Sequence, residues 1–178
     1  MSRQYFMDVP VEPPVVNQTA VVATSETSLW QASLTTIPTA DVRPGKMWKV
    51  TAAGIMSYAS TGTLILTPRW GTTTGGNTFG PNSTALVNAG ATTNQPWWLE
   101  FMVTCRAIGL TGAFSTFIGH GLFFSNTTFN GTTAQPPCAF GGTVVTTGDP
   151  AAGGLFIGWT LSVAGTVTTQ QVAMQSLN

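Results

Sequence analysis

The sequence predicts an all-β protein. Apolar residues recur at every second position in several segments, which is the pattern of strands with one buried face. Clusters of Gly, Pro, Thr and Asn separate these segments and favour turns, and no convincing stretch follows the helical period. With 178 residues, of which 43% are hydrophobic, the chain is long enough to bury one core.

The chain is predicted to begin with an extended arm, residues 1–17, followed by one domain over residues 18–178. Pro10, Pro13 and Pro14 exclude a helix interior in the arm and favour an extended course. An arm this apolar is expected to bury its side chains against a partner. The predicted contact residues are Tyr5, Phe6, Met7 and Val9.

Three segments of the domain alternate most clearly, and each predicts a strand with one core face. The core-facing positions are Trp48, Val50, Ala52, Gly54 and Met56 in residues 46–58; Leu64, Leu66, Pro68 and Trp70 in residues 63–70; and Leu155, Ile157, Trp159, Leu161 and Val163 in residues 155–163. Roughly eight to ten such strands indicate a β-sandwich or a closed barrel.

Residues 95–109 combine two tryptophans, an acid and a base in one apolar run. Alternation predicts a core face made of Trp97, Leu99, Phe101, Val103, Cys105 and Ala107. The opposite face carries groups that are unusual in plain solvent, and we predict a subunit interface there. Its residues are Trp98, Glu100, Met102 and Arg106.

The ends of this strand carry two further expectations. Glu100 and Arg106 are too far apart along one strand to pair with each other, so each is expected to meet a neighbouring strand or a second subunit. Pro96 is expected at the start of the strand, where its missing N–H costs least.

The charge content predicts association with other protein. Charged residues make up 7% of the chain, six basic and six acidic, and the formal net charge is +0, whereas an ordinary soluble domain carries about 25% charged residues. Mixed charges normally keep a monomer soluble, so we infer a homo-oligomer or a larger lattice. The six basic residues are too dispersed to predict nucleic-acid binding.

No segment predicts a membrane span, because the longest apolar stretch, residues 153–165, falls short of the roughly 20 residues required. The N-terminus lacks the apolar stretch of a secretory signal, so we expect the chain to be made in a cytoplasm. Cys105 is expected to be a buried thiol, and a disulfide to Cys138 is the less favoured alternative.

No reaction chemistry stands out in the sequence. His120 is the one histidine and has no companions at zinc-ligand spacing, so a structural strand histidine is the favoured interpretation. The chain lacks a Gly-x-Ser-x-Gly elbow, and its carboxylates are not closely spaced, which leaves only a pair assembled by the fold. We therefore expect no enzyme activity, no cofactor and no metal.

Several short motifs occur in a characteristic order over the first two-thirds of the chain. They are Ser28-Leu29, Thr36-Ile37-Pro38, Pro44-Gly45-Lys46, Gly54 to Ser57, Arg69 to Gly71, Asn94 to Trp97 and Arg106 to Gly109. In this order the chain resembles jelly-roll virion proteins of tailed bacteriophages, especially phages of actinobacteria. The resemblance implies a single antiparallel jelly-roll β-sandwich that forms homotrimers.

The resemblance also implies a place in a virion. The expected function is capsid decoration, in which the protein is made in the bacterial cytoplasm and cements the outer surface of the head. The arm would then contact a neighbouring subunit, the major capsid protein or another virion protein. The alternative is a tail- or fibre-associated adhesin that binds host surface glycans through aromatics such as Trp70, Phe79 or Phe129.

Overall fold

A computed structural model describes residues 20–21, 26–30, 35–38, 41–71, 77–80, 83, 85–88, 90–109, 115–125, 138–146 and 154–177. Over these residues the protein is all-β, with eleven strands in two antiparallel sheets. No helix in this part of the chain is long and apolar enough to cross a membrane. The predicted arm, with Tyr5, Phe6, Met7 and Val9, lies outside the described residues.

The strands in chain order are β1 (Ala20–Val21), β2 (Thr27–Ser28), β3 (Met47–Tyr58), β4 (Gly62–Gly71), β5 (Asn77–Thr78), β6 (Leu86–Asn88), β7 (Thr92–Ala107), β8 (Ser115–Ser125), β9 (Cys138–Thr146), β10 (Gly154–Leu161) and β11 (Gly165–Ser176). The larger sheet has the order β1-β11-β3-β7-β8-β9. The smaller sheet has the order β2-β10-β4-β5, and β6 also pairs with β4.

The inner faces of the two sheets share one hydrophobic core. Trp70 of β4 stacks on Phe117 of β8, with ring centroids 4.1 Å apart, and also contacts Trp48 of β3. The predicted core faces of β3, β4 and β10 are confirmed as buried, except that Val163 lies beyond the end of β10 and is half-buried. Trp159 and Phe101, both predicted on core faces and expected to be fully buried, are 2% and 0% exposed.

Two glycines of β8 make room for Phe101 of β7. A Cβ atom at Gly119 or Gly121 would lie 2.7 or 2.5 Å from the Phe101 ring, closer than van der Waals contact allows. Phe101 also stacks on Phe140 of β9, with centroids 5.4 Å apart. The inner face of β8 therefore places Gly119 and Gly121 between Phe117 and Phe123, and the two glycines let β7, β8 and β9 pack around one aromatic cluster.

The structure corrects two expectations about the ends of β7. Ala107 is exposed, because a register shift between Cys105 and Ala107 places a bulge at Arg106 and ends the alternation. Pro96 lies inside β7, which begins four residues earlier at Thr92. Within the described residues, β8 pairs with β7 only as far as Trp97, so no described residue of β8 stands opposite Pro96 to accept a hydrogen bond from its position.

The outer face of the smaller sheet carries a bidentate ion pair. The Arg69 guanidinium of β4 donates from Nε to Glu26 Oε1 (2.6 Å) and from Nη2 to Glu26 Oε2 (2.5 Å). Its Nη1 donates to Thr78 Oγ1 of β5 (2.8 Å), and the hydrogen bond to Glu26 raises the pKa of Arg69. The carboxylate of Glu26 lies over Gly158 of β10, where an added Cβ would meet Glu26 Oε1. The bridge joins the residue that precedes β2 to β4 and β5 and passes over β10, on the outer side of the sheet.

Candidate partner-binding surface

The outer sides of β7 and β8 form one continuous surface, which we call the β7–β8 face. Its residues occupy three successive cross-strand pairs: Trp98 with Phe124, Glu100 with Leu122, and Met102 with His120. Because side chains of a strand alternate between faces, the burial of Phe101, Leu99 and Phe123 in the core directs these six side chains outward.

Four large apolar side chains of the β7–β8 face are open to solvent. Trp98, Met102, Leu122 and Phe124 are 39%, 40%, 40% and 37% exposed. The rings of Trp98 and Phe124 lie 5.2 Å apart at an interplanar angle of 48°, so they form one aromatic platform. Single exposed apolar residues are ordinary on a protein surface, but a contiguous cluster of them marks a site of contact with another molecule.

The charged groups of this surface are distributed unevenly. Glu100 forms an ion pair with Lys49 of the adjacent strand β3, and Lys49 Nζ lies 2.5 Å from Glu100 Oε2. This confirms that Glu100 meets a neighbouring strand. Arg106 is exposed, but it lies eight positions from Trp98, or about 27 Å along an extended strand. The structure thus brings Trp98, Glu100 and Met102 together and leaves Arg106 outside their cluster.

A groove of about 410 Å³ borders the β7–β8 face on the side of β9; we call it the β9 groove. Its high wall is formed by Glu100, Met102, His120 and Leu122, and its low side by the backbone of β9 around Ala139 and Gly141. In β9 the positions opposite Leu122 and His120 are Ala139 and Gly141, whose side chains are a methyl group and a hydrogen. The side chains of β8 therefore project further from the sheet than those of β9, and the difference in height forms the groove.

Sequence reasoning missed Leu122 and Phe124 as members of this surface. The segment of β8 has apolar residues on both alternating faces, so the period alone does not select the inner one. The usable signal is the pair Gly119 and Gly121, which marks the face that meets a large ring of the neighbouring strand. With that face assigned to the core, Leu122 and Phe124 must point outward.

The described residues bring together no group of three His, Cys, Asp or Glu side chains that would hold a metal ion. His120 is exposed beside Met102. Both thiols are free, and burial raises the pKa of Cys105, which disfavours the reactive thiolate.

Two aromatics proposed for glycan binding are misplaced for that role. Trp70 and Phe79 are 2% and 0% exposed, because both contribute rings to the core. That expectation is therefore wrong for these two residues, and Phe129 lies outside the described residues. The exposed ring pair of the described chain is instead Trp98 with Phe124.

Comparison with known proteins adds no relative: no family model, no curated protein and no solved structure matches the chain. The support for a function therefore comes from the sequence motifs, the strand order and the β7–β8 face.

Proposed function

We propose that the protein is a structural component of a bacteriophage virion, a jelly-roll protein that assembles as a homotrimer and decorates the outer surface of the head. The observation that carries this proposal is the β7–β8 face, a contiguous apolar surface on a chain with 7% charged residues. Removing apolar surface from water is favourable by about 25 cal/mol per Å². In the proposed assembly, the surface of a second protein chain covers the β7–β8 face.

The strand order supports the jelly-roll part of the proposal. A jelly roll consists of two sheets of four strands with Greek-key connections; one sheet contains the first, eighth, third and sixth strands, and the other contains the second, seventh, fourth and fifth. The observed neighbours β1-β11-β3-β7 and β2-β10-β4-β5 follow this order if β8 and β9 are an insertion between the sixth and seventh strands and β6, which pairs with β4 outside this path, is an additional short strand. The inserted pair extends the larger sheet beyond β7.

The insertion also supports the assembly part of the proposal. Leu122 and Phe124 belong to β8, and the low side of the β9 groove belongs to β9. The inserted strand β8 thus supplies two of the four exposed apolar side chains of the β7–β8 face. In a closed trimer, the contact is heterologous, so the face of one copy meets a different surface of the next copy.

The sequence motifs support the virion setting through residues that set the fold. Pro44-Gly45-Lys46 forms the turn before β3, where Gly45 has a φ of 84°, a value that favours glycine. Arg69 holds the bridge on the smaller sheet, and Trp97 lies in the core. The resemblance to phage virion proteins thus rests on structural positions, in keeping with a role as scaffold and contact surface.

The experiment that tests the proposal is a copy-number measurement on purified virions of the phage that encodes the chain. Quantitative mass spectrometry would compare this protein with the major capsid protein and with a tail-tube protein. Decoration predicts a copy number comparable with that of the major capsid protein. A few copies per particle would contradict decoration and favour the alternative, an adhesin whose exposed Trp98–Phe124 platform contacts glycans.

A further inference from the structure

The β9 groove is a second feature of the larger sheet, next to the apolar platform. Met102 and Leu122 form its apolar wall, and Glu100 and His120 contribute polar groups to that wall. The low side exposes the backbone around Ala139 and Gly141. A groove with an apolar wall and a low backbone floor suits an extended peptide segment, whose alternate side chains reach the wall.

We propose that the β9 groove receives the N-terminal arm of a neighbouring copy of this chain, with Tyr5 and Phe6 as the side chains that contact Met102 and Leu122. This inference rests on the proposed trimer and names the segment that links its subunits. At least 19 residues precede Ala20, and they include the apolar residues that the sequence assigns to partner contact.

The length of the arm allows it to reach a neighbouring copy. Strand β1 lies at one edge of the larger sheet and β9 at the other, so five strand spacings, about 24 Å, separate them. Tyr5 to Val9 lie eleven to fifteen residues before Ala20. In the extended course favoured by the arm's prolines, this length corresponds to about 35–50 Å. The arm is therefore long enough to extend beyond its own domain to the groove of a neighbouring copy.

The chemistry of the two partners also matches. The arm offers an aromatic pair, Tyr5 and Phe6, and the groove offers thioether and aliphatic walls, which pack well against rings. Tyr5 carries a hydroxyl for the polar groups at Glu100 and His120. Ordering an arm costs conformational entropy, so most of the binding free energy is expected from a few large side chains.

The test is a disulfide cross-link between two chains. One chain carries Met7→Cys, which keeps both Tyr5 and Phe6, and the other carries Ala139→Cys. Both carry Cys138→Ser, and the two are co-expressed with tags of different mass. Cys105 stays in place because it is buried. The control replaces Ala139→Cys by Ala164→Cys, an exposed position in the turn between β10 and β11.

The expected result is a covalent species containing both tags, which the Ala164→Cys control lacks and which Leu122→Asp on the groove wall removes. Light scattering on the same samples separates two kinds of failure. A trimeric mass without the cross-link overturns the arm inference and leaves the proposed function standing, whereas a single-chain mass without it overturns both. A link that forms only when both cysteines are on one chain also overturns the inference, because the arm would then occupy its own groove.

Discussion

The outer faces of the two sheets differ in how their polar and apolar groups are arranged. On the smaller sheet, Arg69 and Glu26 form a bidentate ion pair over Gly158, with side chains only 18% and 17% exposed. On the larger sheet, the corresponding outward positions carry Trp98 and Met102, open to solvent. One face is completed by contacts within the chain, and the other presents apolar side chains that the described chain does not cover.

The difference shows that low charge content alone does not locate an interface. Both sheets are built from the same Thr-, Gly- and Val-rich sequence, and the six acids and six bases are spread along it. The smaller sheet has an ion pair across its solvent side, whereas on the larger sheet Glu100 lies in the middle cross-strand pair of the apolar cluster and pairs with Lys49 of β3. The apolar side chains of the larger sheet are thus free for contact with protein.

The largest expected effect compares two neighbouring residues of β7 on opposite faces. Phe101→Ala removes a ring packed against Gly119, Gly121 and Phe140, and we expect it to lower the free energy of unfolding by about 3–5 kcal/mol. The loss should appear at every protein concentration in urea unfolding. Met102→Ala should lower stability only where the chain associates, since assembly links stability to concentration.

If the two substitutions had equal effects at all concentrations, the inner and outer faces of β7 would be assigned wrongly. A matched outer control on the smaller sheet is Val87→Ala. The exposed fraction of Val87, 36%, is similar to the 40% of Met102. The effect of Val87→Ala on the free energy of unfolding should not depend on protein concentration.

The second effect tests the bridge on the smaller sheet. Gly158→Ala places a methyl group where the Glu26 carboxylate lies, so the carboxylate must leave Arg69. We expect a loss of about 1.5–3 kcal/mol, the value of hydrogen bonds to charged groups, measured by urea unfolding. The control is Gly90→Ala, because a Cβ there has nothing within 4 Å. If Gly158→Ala left the free energy of unfolding unchanged, the Arg69–Glu26 ion pair would contribute nothing to stability.

The smallest effect tests whether Tyr58, at the end of the inner face of β3, is shielded from water. Burial raises the pKa of Tyr58, whose hydroxyl contacts Met56 Sδ at 3.5 Å. Above pH 10 an unfolded tyrosine loses its proton while the folded one keeps it. The free energy of unfolding should therefore fall with rising pH, by at most about 1.4 kcal/mol per pH unit.

Tyr58→Phe should flatten this alkaline slope, as measured by unfolding between pH 9 and pH 11. Cys105 also has a raised pKa, but it contributes equally to both proteins. Identical slopes for the wild type and Tyr58→Phe would show that the Tyr58 hydroxyl ionises in the folded protein.

The strands with one apolar face could be predicted from the sequence, because their apolar residues alternate with a period of two. The inner faces of β3 and β4 and residues 97–105 of β7 follow it without exception. β10 departs from the pattern on its outer side, where Phe156 is buried although alternation turns it away from the core. Its burial depends on tertiary packing, which the period does not report.

The rest depends on register between distant segments. The bulge at Arg106 and the continuation of β7 beyond Pro96 arise from pairing with β8 and β3. Glu26 and Arg69 are 43 residues apart in the chain, and their pairing requires β2, β10 and β4 to be aligned first. The outer face of β8 is set by the packing of Gly119 and Gly121 against Phe101 of β7, a contact between strands that alternation within β8 does not report.

The most direct test of the account is the mass of the purified protein by light scattering, for the wild type, Met102→Asp and Val87→Asp. The two variants place the same charge on similarly exposed apolar residues of different sheets, and an unpaired polar group buried at an interface costs about 1–3 kcal/mol. We predict three chain masses for the wild type and for Val87→Asp, and a folded single chain for Met102→Asp. A wild-type mass of one chain, or equal dissociation by both variants, would contradict the assignment of the β7–β8 face as the assembly surface.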